Sequence, residues 1–238
     1  MNFRPKTAMI LAAGLGTRMR PLTDHNAKPL LPLAGRTLLD HALDRLAEVG
    51  VERAVVNAHW QAERVAACLA ARTAGPETIL RVEEDLLETG GGVLAALDQL
   101  GPDPFYVVNG DAFWLNGPRP ALGRLAEAFD PTAQDALLLL QRSALVSADI
   151  GFGDFALDRW GRLRRREERE VVPYIYAGAF IMSPALLDGF TPGKFSLNRP
   201  WDLALAAGRL TGLVHDGLWF HLSTPRDLTE AEEVLHMR

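Results

Sequence analysis

Apolar runs alternate with amphipathic segments through the first half of the chain, the pattern produced when β-strands alternate with α-helices. Nearly continuous apolar runs predict buried strands at 7–12, 53–58, 78–84 and 104–111. Segments with apolar residues at helical spacing predict helices at 37–50, 62–72 and 91–100. Strands and helices that alternate in this way form a mainly parallel sheet with helices on both faces, so we expect a Rossmann-like α/β fold.

The segment 37–50 carries the clearest helical pattern in the chain. Its apolar residues fall on one helical face, at positions 38, 39, 42, 43, 46 and 49. Thr37 and Asp40 resemble a capping pair at its start, and Gly50 is a stop signal at its end. These signals predict both boundaries of the helix.

The second half of the chain has less regular spacing. Strands are predicted at 136–142, 150–158 and 174–183, with a pair of short strands inside 211–223. Helices are predicted at 200–210 and 225–237, the latter with Pro225 near its first turn. The charged run 162–170 is interpreted as a solvated strand or loop. Because no repeat or long linker divides the sequence, we expect one domain over residues 1–238.

Composition excludes several classes of partner. The 238 residues carry a net charge of −5, which disfavours a general nucleic-acid-binding or anionic-membrane surface. No segment approaches the roughly 18 uncharged apolar residues of a membrane span, and the N-terminal apolar stretch is too short for a signal peptide. The one cysteine, Cys68, rules out a disulfide within the chain. We expect a cytoplasmic protein.

The loop after the first strand, within "MILAAGLGTRMRPLT", combines two glycines with several cations. Ligands of parallel sheets bind at the carboxyl ends of the strands, and successive amides in a Gly-rich loop form an anion site. Gly14 and Gly16 alone would be consistent with a plain tight turn. Arg18 and Lys28 beside exposed backbone favour a bound phosphate, whereas Arg20 is equally well explained as a solvated loop residue.

Two common phosphate loops do not match this segment. A dinucleotide fingerprint that starts at Gly14 requires glycine at position 19, where the chain has Met19. A Walker loop requires Gly-Lys followed by Ser or Thr, and none follows. An NAD-linked oxidoreductase is therefore disfavoured.

Two further motifs follow later strands of the predicted sheet. "ETGGG" precedes a helix, and its three successive glycines exceed what a cap formed by Thr89 requires, which favours close contact with a flat ligand such as a base or ribose. "VVNGD" ends a strand with Asp111, a carboxylate placed to bind a divalent cation that bridges phosphates. The alternatives are a simple helix start and an aspartate in a turn.

Taken together, "LAAGLGTRMRPLT" and the downstream "KPLLPLAGRTLLDHAL" resemble the signature of the sugar-1-phosphate nucleotidyltransferases, and the resemblance extends over nearly the whole chain. It implies a nucleotide-diphospho-sugar transferase fold of the GT-A-like type. The implied reaction joins a nucleoside triphosphate to a sugar-1-phosphate and releases pyrophosphate. A small departure is Ala27, where the family usually has proline before the lysine.

The resemblance also implies roles for individual residues. Arg18 grips the triphosphate, Lys28 neutralises charge at the reacting phosphates, and Asp111 binds Mg²⁺. The residues expected to contact the nucleotide are Leu11, Ala12, Ala13, Gly14, Gly16, Thr17, Arg18, Glu88, Thr89, Gly90, Gly91 and Asn109.

The expected second metal ligand is replaced in this chain. The family motif W-x-D-V-G-T-P appears as "WFHLSTP", with His221 in place of aspartate and Ser223 in place of glycine. A neutral imidazole favours Mn²⁺, Co²⁺ or Zn²⁺ over Mg²⁺. Three interpretations remain open: His221 is a ligand that alters metal preference, Asp111 and the phosphates hold the metal alone, or activity has been lost.

The "ETGGG" form resembles the N-acetylmuramate-1-phosphate uridylyltransferases of cell-wall recycling, which implies UTP and N-acetylmuramate-1-phosphate as substrates. The alternatives are mannose-1-phosphate with GTP, glucose-1-phosphate with UTP or dTTP, and a non-catalytic sugar-nucleotide sensor. Residues 1–115 are expected to bind the nucleotide and 116–238 the sugar phosphate, without a C-terminal β-helix domain. The oligomeric state is left open.

The sugar-phosphate pocket is predicted from two family-like segments, "IGFGDF" and "YAGAFIMSP". Asp149, Gly151 and Gly178 are the candidate residues, and Trp201 or Asp202 could form the far wall. Each has a structural alternative, because glycines in strands often mark β-bulges and a tryptophan often anchors a core.

Overall fold

The computed structural model describes residues 3–146, 148 and 150–237. Its strands are β1 (Thr7–Leu11), β2 (Pro32–Leu33), β3 (Arg36–Thr37), β4 (Arg53–Ala58), β5 (Glu77–Val82), β6 (Phe105–Asn109), β7 (Phe113–Leu115), β8 (Ala136–Arg142), β9 (Phe155–Leu157), β10 (Leu163–Arg165), β11 (Tyr174–Met182), β12 (Leu210–Val214) and β13 (Leu218–Phe220). Its α-helices are α1 (Leu38–Glu48), α2 (Ala62–Ala70), α3 (Glu88–Ala95), α4 (Leu97–Leu100), α5 (Ala121–Ala128), α6 (Asn198–Ala206) and α7 (Pro225–His236).

A nine-stranded sheet forms the centre of the molecule. Its first part runs in the order β5-β4-β1-β6 with all pairs parallel, as the alternation of strands and helices predicts. Because β1 lies between β4 and β6, the loops that follow these three strands emerge side by side at one edge. The expected mainly parallel sheet is confirmed for this half of the chain.

The second half adds antiparallel strands to the same sheet. The long strand β11 pairs antiparallel with β6, β8 and β9, and β12 then pairs parallel with β8. The register of β11 against β8 shifts between Tyr176 and Phe180. Gly178 lies inside this irregular stretch with a φ of 85°, a value that residues other than glycine rarely adopt. A Cβ at Gly178 would lie 2.8 Å from the Cβ of Ala112, so the bulge lies directly beside the loop that follows β6.

A separate two-stranded ladder joins distant parts of the chain. β7 pairs antiparallel with β13, with Phe113 opposite Phe220. Sequence analysis did not predict β7 or α5, and it did not identify β13 as the partner of β7. The ladder places the segment just before β7 beside the segment just after β13.

Apolar side chains pack on both faces of the sheet. One cluster combines β1, β4 and β6 with α1 and α5, and the other combines β8 and β11 with α3 and α6. At the start of α1 the backbone N–H of Asp40 donates to Thr37 Oγ1 across 3.0 Å, which confirms the predicted cap. Such a cap contributes about 1 kcal/mol of stability. Cys68 is half-buried at the edge of the first cluster.

Some boundaries differ from the sequence prediction. The helix expected at 91–100 begins earlier, at Glu88, and is interrupted at Ala96. The charged run 162–170 contributes the edge strand β10, which agrees with the strand interpretation. Only Phe155–Leu157 of the strand expected at 150–158 is extended. Within the described residues, no helix is long and apolar enough to span a membrane.

Candidate active site

The loop after β1 is held in place by buried contacts at both of its ends. Met19, in a short 3-10 helix, is fully buried against Leu31 and Leu222. Thr23 donates its hydroxyl to the carbonyl oxygen of Gly16 across 2.8 Å. A Cβ at Gly16 would lie 3.0 Å from the Cβ of Lys28, so the absence of a side chain lets the loop approach the segment that carries this lysine.

Lys28 and Asp111 are paired at this edge of the sheet. Lys28 begins a short 3-10 helix, and its Nζ lies 2.5 Å from Oδ2 of Asp111 in the loop after β6. The lysine side chain is 13% exposed and the aspartate side chain 34% exposed. Ala27, which replaces the family's usual proline, is fully buried just before the lysine. The pair therefore faces a cavity but remains open to a ligand on the aspartate side.

His221 follows β13 and is brought to the same place by the ladder between β7 and β13. Burial is the main cause that lowers the pKa of His221, and the cations Arg18 and Lys28 lower it further, while Asp227 and Asp111 act in the opposite direction. A lowered pKa keeps the imidazole neutral near pH 7, which leaves a ring nitrogen available as an acceptor or metal ligand.

Two adjacent cavities lie at this edge of the sheet. The larger of the two, about 510 Å³ in volume, lies over the carboxyl ends of β1, β4 and β6. Most residues predicted to contact a nucleotide line it: Leu11, Ala12, Ala13, Gly14, Gly16, Thr17, Arg18, Glu88, Thr89 and Asn109. Lys28 and Asp111 line it as well. The structure thus brings together residues from four separate segments that sequence analysis assigned to one site.

The smaller cavity, about 260 Å³, adjoins the larger one. It is lined by the bulged part of β11, by β13 and by His221. Five residues line both cavities: Arg18, Lys28, Asn109, Asp111 and Ser223. The predicted catalytic residues therefore stand at the junction of two adjacent spaces. Arg20 lines neither cavity and pairs with Asp24 at 3.3 Å, which agrees with a solvated loop residue.

Gly90 and Gly91 line neither cavity, unlike the base contact expected from the glycine run. Both backbone N–H groups donate to the carbonyl oxygen of Phe195, at 2.9 and 3.1 Å. A Cβ at Gly90 would overlap the Phe195 ring, and a Cβ at Gly91 would overlap the carbonyl oxygen of Gly193. These glycines make room for another segment of the chain itself.

Thr89 does not cap α3 through its side chain. Its Oγ1 instead accepts a hydrogen bond from the backbone N–H of Leu197 across 2.9 Å. This contact and the two donated to Phe195 fasten the start of α3 to the segment before α6. That segment contributes Ser196 to the wall of the larger cavity.

The predicted sugar-side residues divide into two groups. Gly178 lines the smaller cavity from the β-bulge, so the functional and structural interpretations both apply to it. Gly151 lines neither cavity, and Asp149 lies outside the described residues.

The predicted far wall of the sugar pocket lies elsewhere. Trp201 packs its ring on Tyr176 and Phe180 inside the core, as its structural alternative stated. Asp202 pairs with Arg165 on the surface. Neither residue lines the cavities, because Trp201 is packed into the core and Asp202 lies on the surface.

Several cavity residues were not identified from the sequence, among them Asn57, Asp154 and Trp219. Asn57 is the next-to-last residue of β4, at the same edge as Asn109, so its place at the end of an apolar run was an available signal. Asp154 lines the smaller cavity and accepts the backbone N–H of Tyr176 through Oδ2 across 2.9 Å. Trp219 lines the same cavity and donates from Nε1 to the carbonyl oxygen of Ala177 across 2.9 Å.

The donors for a metal ion are few. Among the described residues, no group of three or more His, Cys, Asp and Glu side chains is arranged to hold one. Asp111 and His221 both line the smaller cavity, which gives one carboxylate and one neutral imidazole. Carboxylate and imidazole are both ligand types for divalent cations, and imidazole suits Mn²⁺ or Zn²⁺ better than Mg²⁺.

Comparison with known proteins agrees with the geometry. The family model described as "MobA-like NTP transferase domain" matches residues 8–171. The chain is 41% identical, over 98% of both chains, to the N-acetylmuramate alpha-1-phosphate uridylyltransferase of Caulobacter vibrioides. It is 35% identical to the protein of that name from Neisseria meningitidis serogroup B, over 94% of this chain and 96% of that protein.

Solved structures show the same fold. A UDP-glucose pyrophosphorylase complexed with UDP-glucose superposes with a TM-score of 0.81 at 16% identity, over 98% of both chains. The inositol-1-phosphate CTP transferase from T. maritima superposes with a TM-score of 0.78 at 20% identity, over 99% of this chain and 97% of that one. The nucleotide-diphospho-sugar transferase fold expected from the sequence is confirmed. The chain belongs to the MobA-like NTP transferases and, within them, to the sugar-1-phosphate nucleotidyltransferases.

Proposed function

We propose that the protein transfers a uridylyl group from UTP to N-acetylmuramate-1-phosphate, forming the UDP-sugar and pyrophosphate. The observation that carries this proposal is the place of Arg18, Lys28 and Asp111 at the junction of the two cavities. A triphosphate in the larger cavity and a sugar phosphate in the smaller one would meet at these charges. The choice of base and sugar rests on the similarity to the Caulobacter and Neisseria proteins.

The reaction requires no nucleophile from the protein. An oxygen of the sugar phosphate attacks the α-phosphorus of UTP in line, the bond to the β-phosphate oxygen breaks, and pyrophosphate leaves. The barrier consists mainly of bringing two anions together and stabilising charge on the leaving group. Arg18 suits phosphate oxygens because its guanidinium donates in a planar fork, and Lys28 supplies a compact positive charge.

The pair formed by Lys28 and Asp111, 2.5 Å apart, lies where the phosphates are proposed to bind. A phosphate at the cavity junction gives the ammonium a second anionic partner, and Asp111 then becomes free to bind a cation. In this proposal Asp111 and His221 hold a divalent metal ion, Mg²⁺ or Mn²⁺. When bound, the ion neutralises negative charge on the phosphates.

The sugar is proposed to occupy the smaller cavity. Asp154 lines only this cavity, and a carboxylate repels phosphate, so it suits a hydroxyl or amide donor of the sugar. Trp219 offers an aromatic surface on the same side. Gly178 lines the cavity with them, while Asp149 and Gly151 remain candidates from sequence alone.

A screen of triphosphates against sugar-1-phosphates tests the proposal. UTP, dTTP and GTP are each combined with N-acetylmuramate-, mannose- and glucose-1-phosphate, and pyrophosphate release is measured. We expect the highest kcat/KM with UTP and N-acetylmuramate-1-phosphate. Release only with GTP and mannose-1-phosphate, or only with a glucose-1-phosphate pair, would overturn the proposed substrates.

The screen also separates catalysis from sensing. A non-catalytic sensor would bind a nucleotide sugar and release no pyrophosphate from any pair. The need for a cellular nucleoside triphosphate supports a cytoplasmic location, and the proposed sugar, N-acetylmuramate-1-phosphate, supports a role in the recycling of cell-wall sugars.

A further inference from the structure

A buried amide–carboxylate pair lies beneath the larger cavity. Asn57, at the end of β4, donates from Nδ2 to Oε1 of Glu83 across 2.6 Å. Asn57 is 2% exposed and Glu83 is 5% exposed. Buried polar side chains are costly unless they are fully hydrogen-bonded, so a pair of this kind requires further partners.

The further partners belong to the two walls of the cavity. Oδ1 of Asn57 accepts the backbone N–H of Ala12, in the loop after β1, across 2.8 Å. Oε2 of Glu83 accepts the backbone N–H of Leu87, just before α3, across 3.0 Å. Ala12 lines the larger cavity on one side, while Leu86 and Glu88, which flank Leu87, line it on another. The hydrogen bonds therefore form a continuous bridge between these walls.

The third glycine of the run in α3 has its explanation here. A Cβ at Gly92 would lie 2.7 Å from Nδ2 of Asn57 and 2.9 Å from Oε1 of Glu83. Either distance is shorter than real Cβ contacts allow. The helix can lie against the bridge only because this position has no side chain. Gly92 is thus fitted to the bridge, whereas Gly90 and Gly91 are fitted to the segment 193–195.

We propose that Glu83 is a positioning residue for the nucleotide: through Asn57 it holds the loop after β1 and the start of α3 at the separation that the nucleoside triphosphate requires. The proposal rests on the proposed function for the class of ligand. Its physical basis is preorganisation, because walls held in place before binding lose less conformational entropy when the ligand arrives. Neither Glu83 nor Asn57 needs to take part in the chemical step.

The donor and acceptor pattern permits a swap test. Glu83→Gln leaves a single acceptor oxygen where two N–H groups each require one, and Asn57→Asp sets two carboxylates against each other. The double variant Asn57→Asp/Glu83→Gln restores every hydrogen bond. Its carboxylate at position 57 accepts from the N–H of Ala12 and from the amide at position 83, and the oxygen of that amide accepts from the N–H of Leu87. The total charge of the pair is unchanged.

Three readouts are measured for each variant: Kd for UTP by calorimetry, KM for the sugar-1-phosphate, and the melting temperature. We expect each single variant to weaken UTP binding at least tenfold, with the sugar-1-phosphate KM within twofold of wild type. The double variant should recover UTP binding to within about threefold. Tyr106→Phe is the matched control, because it removes a buried hydrogen bond of 3.0 Å to Leu122 far from both cavities.

Three outcomes overturn the proposal. One is a lowered melting temperature with unchanged UTP affinity in Glu83→Gln, the behaviour expected of Tyr106→Phe and of a merely structural residue. Another is a double variant that binds UTP no better than the single variants. The third outcome is normal UTP binding by Gly92→Ala, a variant whose added Cβ disturbs the bridge from the helix side. This variant also keeps the test valid if a single variant fails to fold.

The test separates this inference from the proposed function. If wild-type protein binds no UTP but binds another triphosphate, the proposed substrate is wrong and the same variants are measured with that triphosphate. If wild type binds UTP and Glu83→Gln binds it equally well, only the positioning role is overturned.

Discussion

The ammonium of Lys28 and the carboxylate of Asp111 lie 2.5 Å apart, although 83 positions separate them in the chain. Each belongs to a segment that begins at the edge of the parallel sheet, one after β1 and one after β6. The pair stands where the two cavities join, so a single ion pair borders both proposed substrates. Loss of either partner is expected to affect catalysis more than folding, because the pair is open to solvent on one side.

Replacement of Lys28 by alanine is expected to reduce kcat by about 10²- to 10³-fold, the usual effect of removing one electrostatic donor from a developing charge. Pyrophosphate release and the melting temperature are the measurements. Lys6→Ala is the control, because Lys6 forms an exposed pair with Glu52 at 2.7 Å. A Lys28→Ala enzyme with near-normal kcat would contradict the assigned role.

Arg18→Ala is expected to cause a loss of similar size, since Arg18 lines both cavities. Arg20→Ala is a closely matched control two positions away, because Arg20 lines neither cavity and pairs with Asp24. Steady-state rates of the two variants should differ by at least tenfold. Equal rates would show that the loop charge acts only through general attraction.

His221→Asp is expected to shift the metal preference towards Mg²⁺, because a carboxylate is a harder ligand than imidazole. The measurement is the ratio of activity with Mg²⁺ to activity with Mn²⁺, for wild type and variant. His25→Asp serves as the matched control, since His25 is exposed and lines neither cavity. Identical metal profiles would mean that Asp111 and the phosphates bind the ion without His221.

Asp154→Asn is expected to raise the KM for the sugar-1-phosphate several-fold and to leave the Kd for UTP unchanged. The asparagine oxygen can still accept the N–H of Tyr176, so the strand contact is retained while the free acceptor towards the cavity is lost. Asp202→Asn is the control, because Asp202 pairs with Arg165 outside both cavities. A weaker affinity for UTP with an unchanged KM for the sugar-1-phosphate would show that Asp154 acts on the nucleotide, which contradicts its proposed contact with the sugar.

Stability should decrease below about pH 6.5, the ordinary pKa of histidine. Burial lowers the pKa of His215, whose Nε2 lies 3.2 Å from the carbonyl oxygen of Leu115. Above pH 6.5 both the folded and the unfolded forms are neutral. As the pH falls below 6.5, His215 binds a proton in the unfolded chain before it does so in the folded one, so the free energy of unfolding decreases.

His215→Gln should therefore flatten the dependence of melting temperature on pH between about 5 and 7, the range in which histidine titrates. Some dependence remains, because the pKa of His221 is lowered in the same direction. Tyr106→Phe is the control, because it removes a buried hydrogen bond without removing a histidine, and it should leave the slope as in wild type. A His215→Gln variant with the wild-type slope would show that groups other than His215 cause the dependence of melting temperature on pH.

Local patterns in the sequence were sufficient to predict the parallel half of the sheet and the loop that follows β1. Long apolar runs and a clear helical period predicted β1, β4, β6 and α1, and glycines next to cations indicated an anion site. Because parallel strands place their carboxyl ends at one edge, the meeting of Arg18, Lys28 and Asp111 followed from the order of the elements.

Other parts of the site depend on contacts that no local pattern reports. β7 and β13 have three residues each, too few to show a period of two, and their pairing connects positions about a hundred apart. The run Gly90–Gly92 was interpreted as a ligand contact, but its surroundings are Phe195, Gly193 and the Asn57–Glu83 bridge. A run of glycines indicates that another group packs close to the backbone, but it does not show whether that group is a ligand or another segment of the chain.

The short ladder between β7 and β13 has a consequence for synthesis on the ribosome. The residues that surround the triphosphate come mostly from the segments up to Asp111, whereas the smaller cavity also needs β13 and His221. Met19, in the loop after β1, is buried against Leu222, which directly follows the ladder. Synthesis must therefore pass β13 before that loop has its full support and before the smaller cavity is complete.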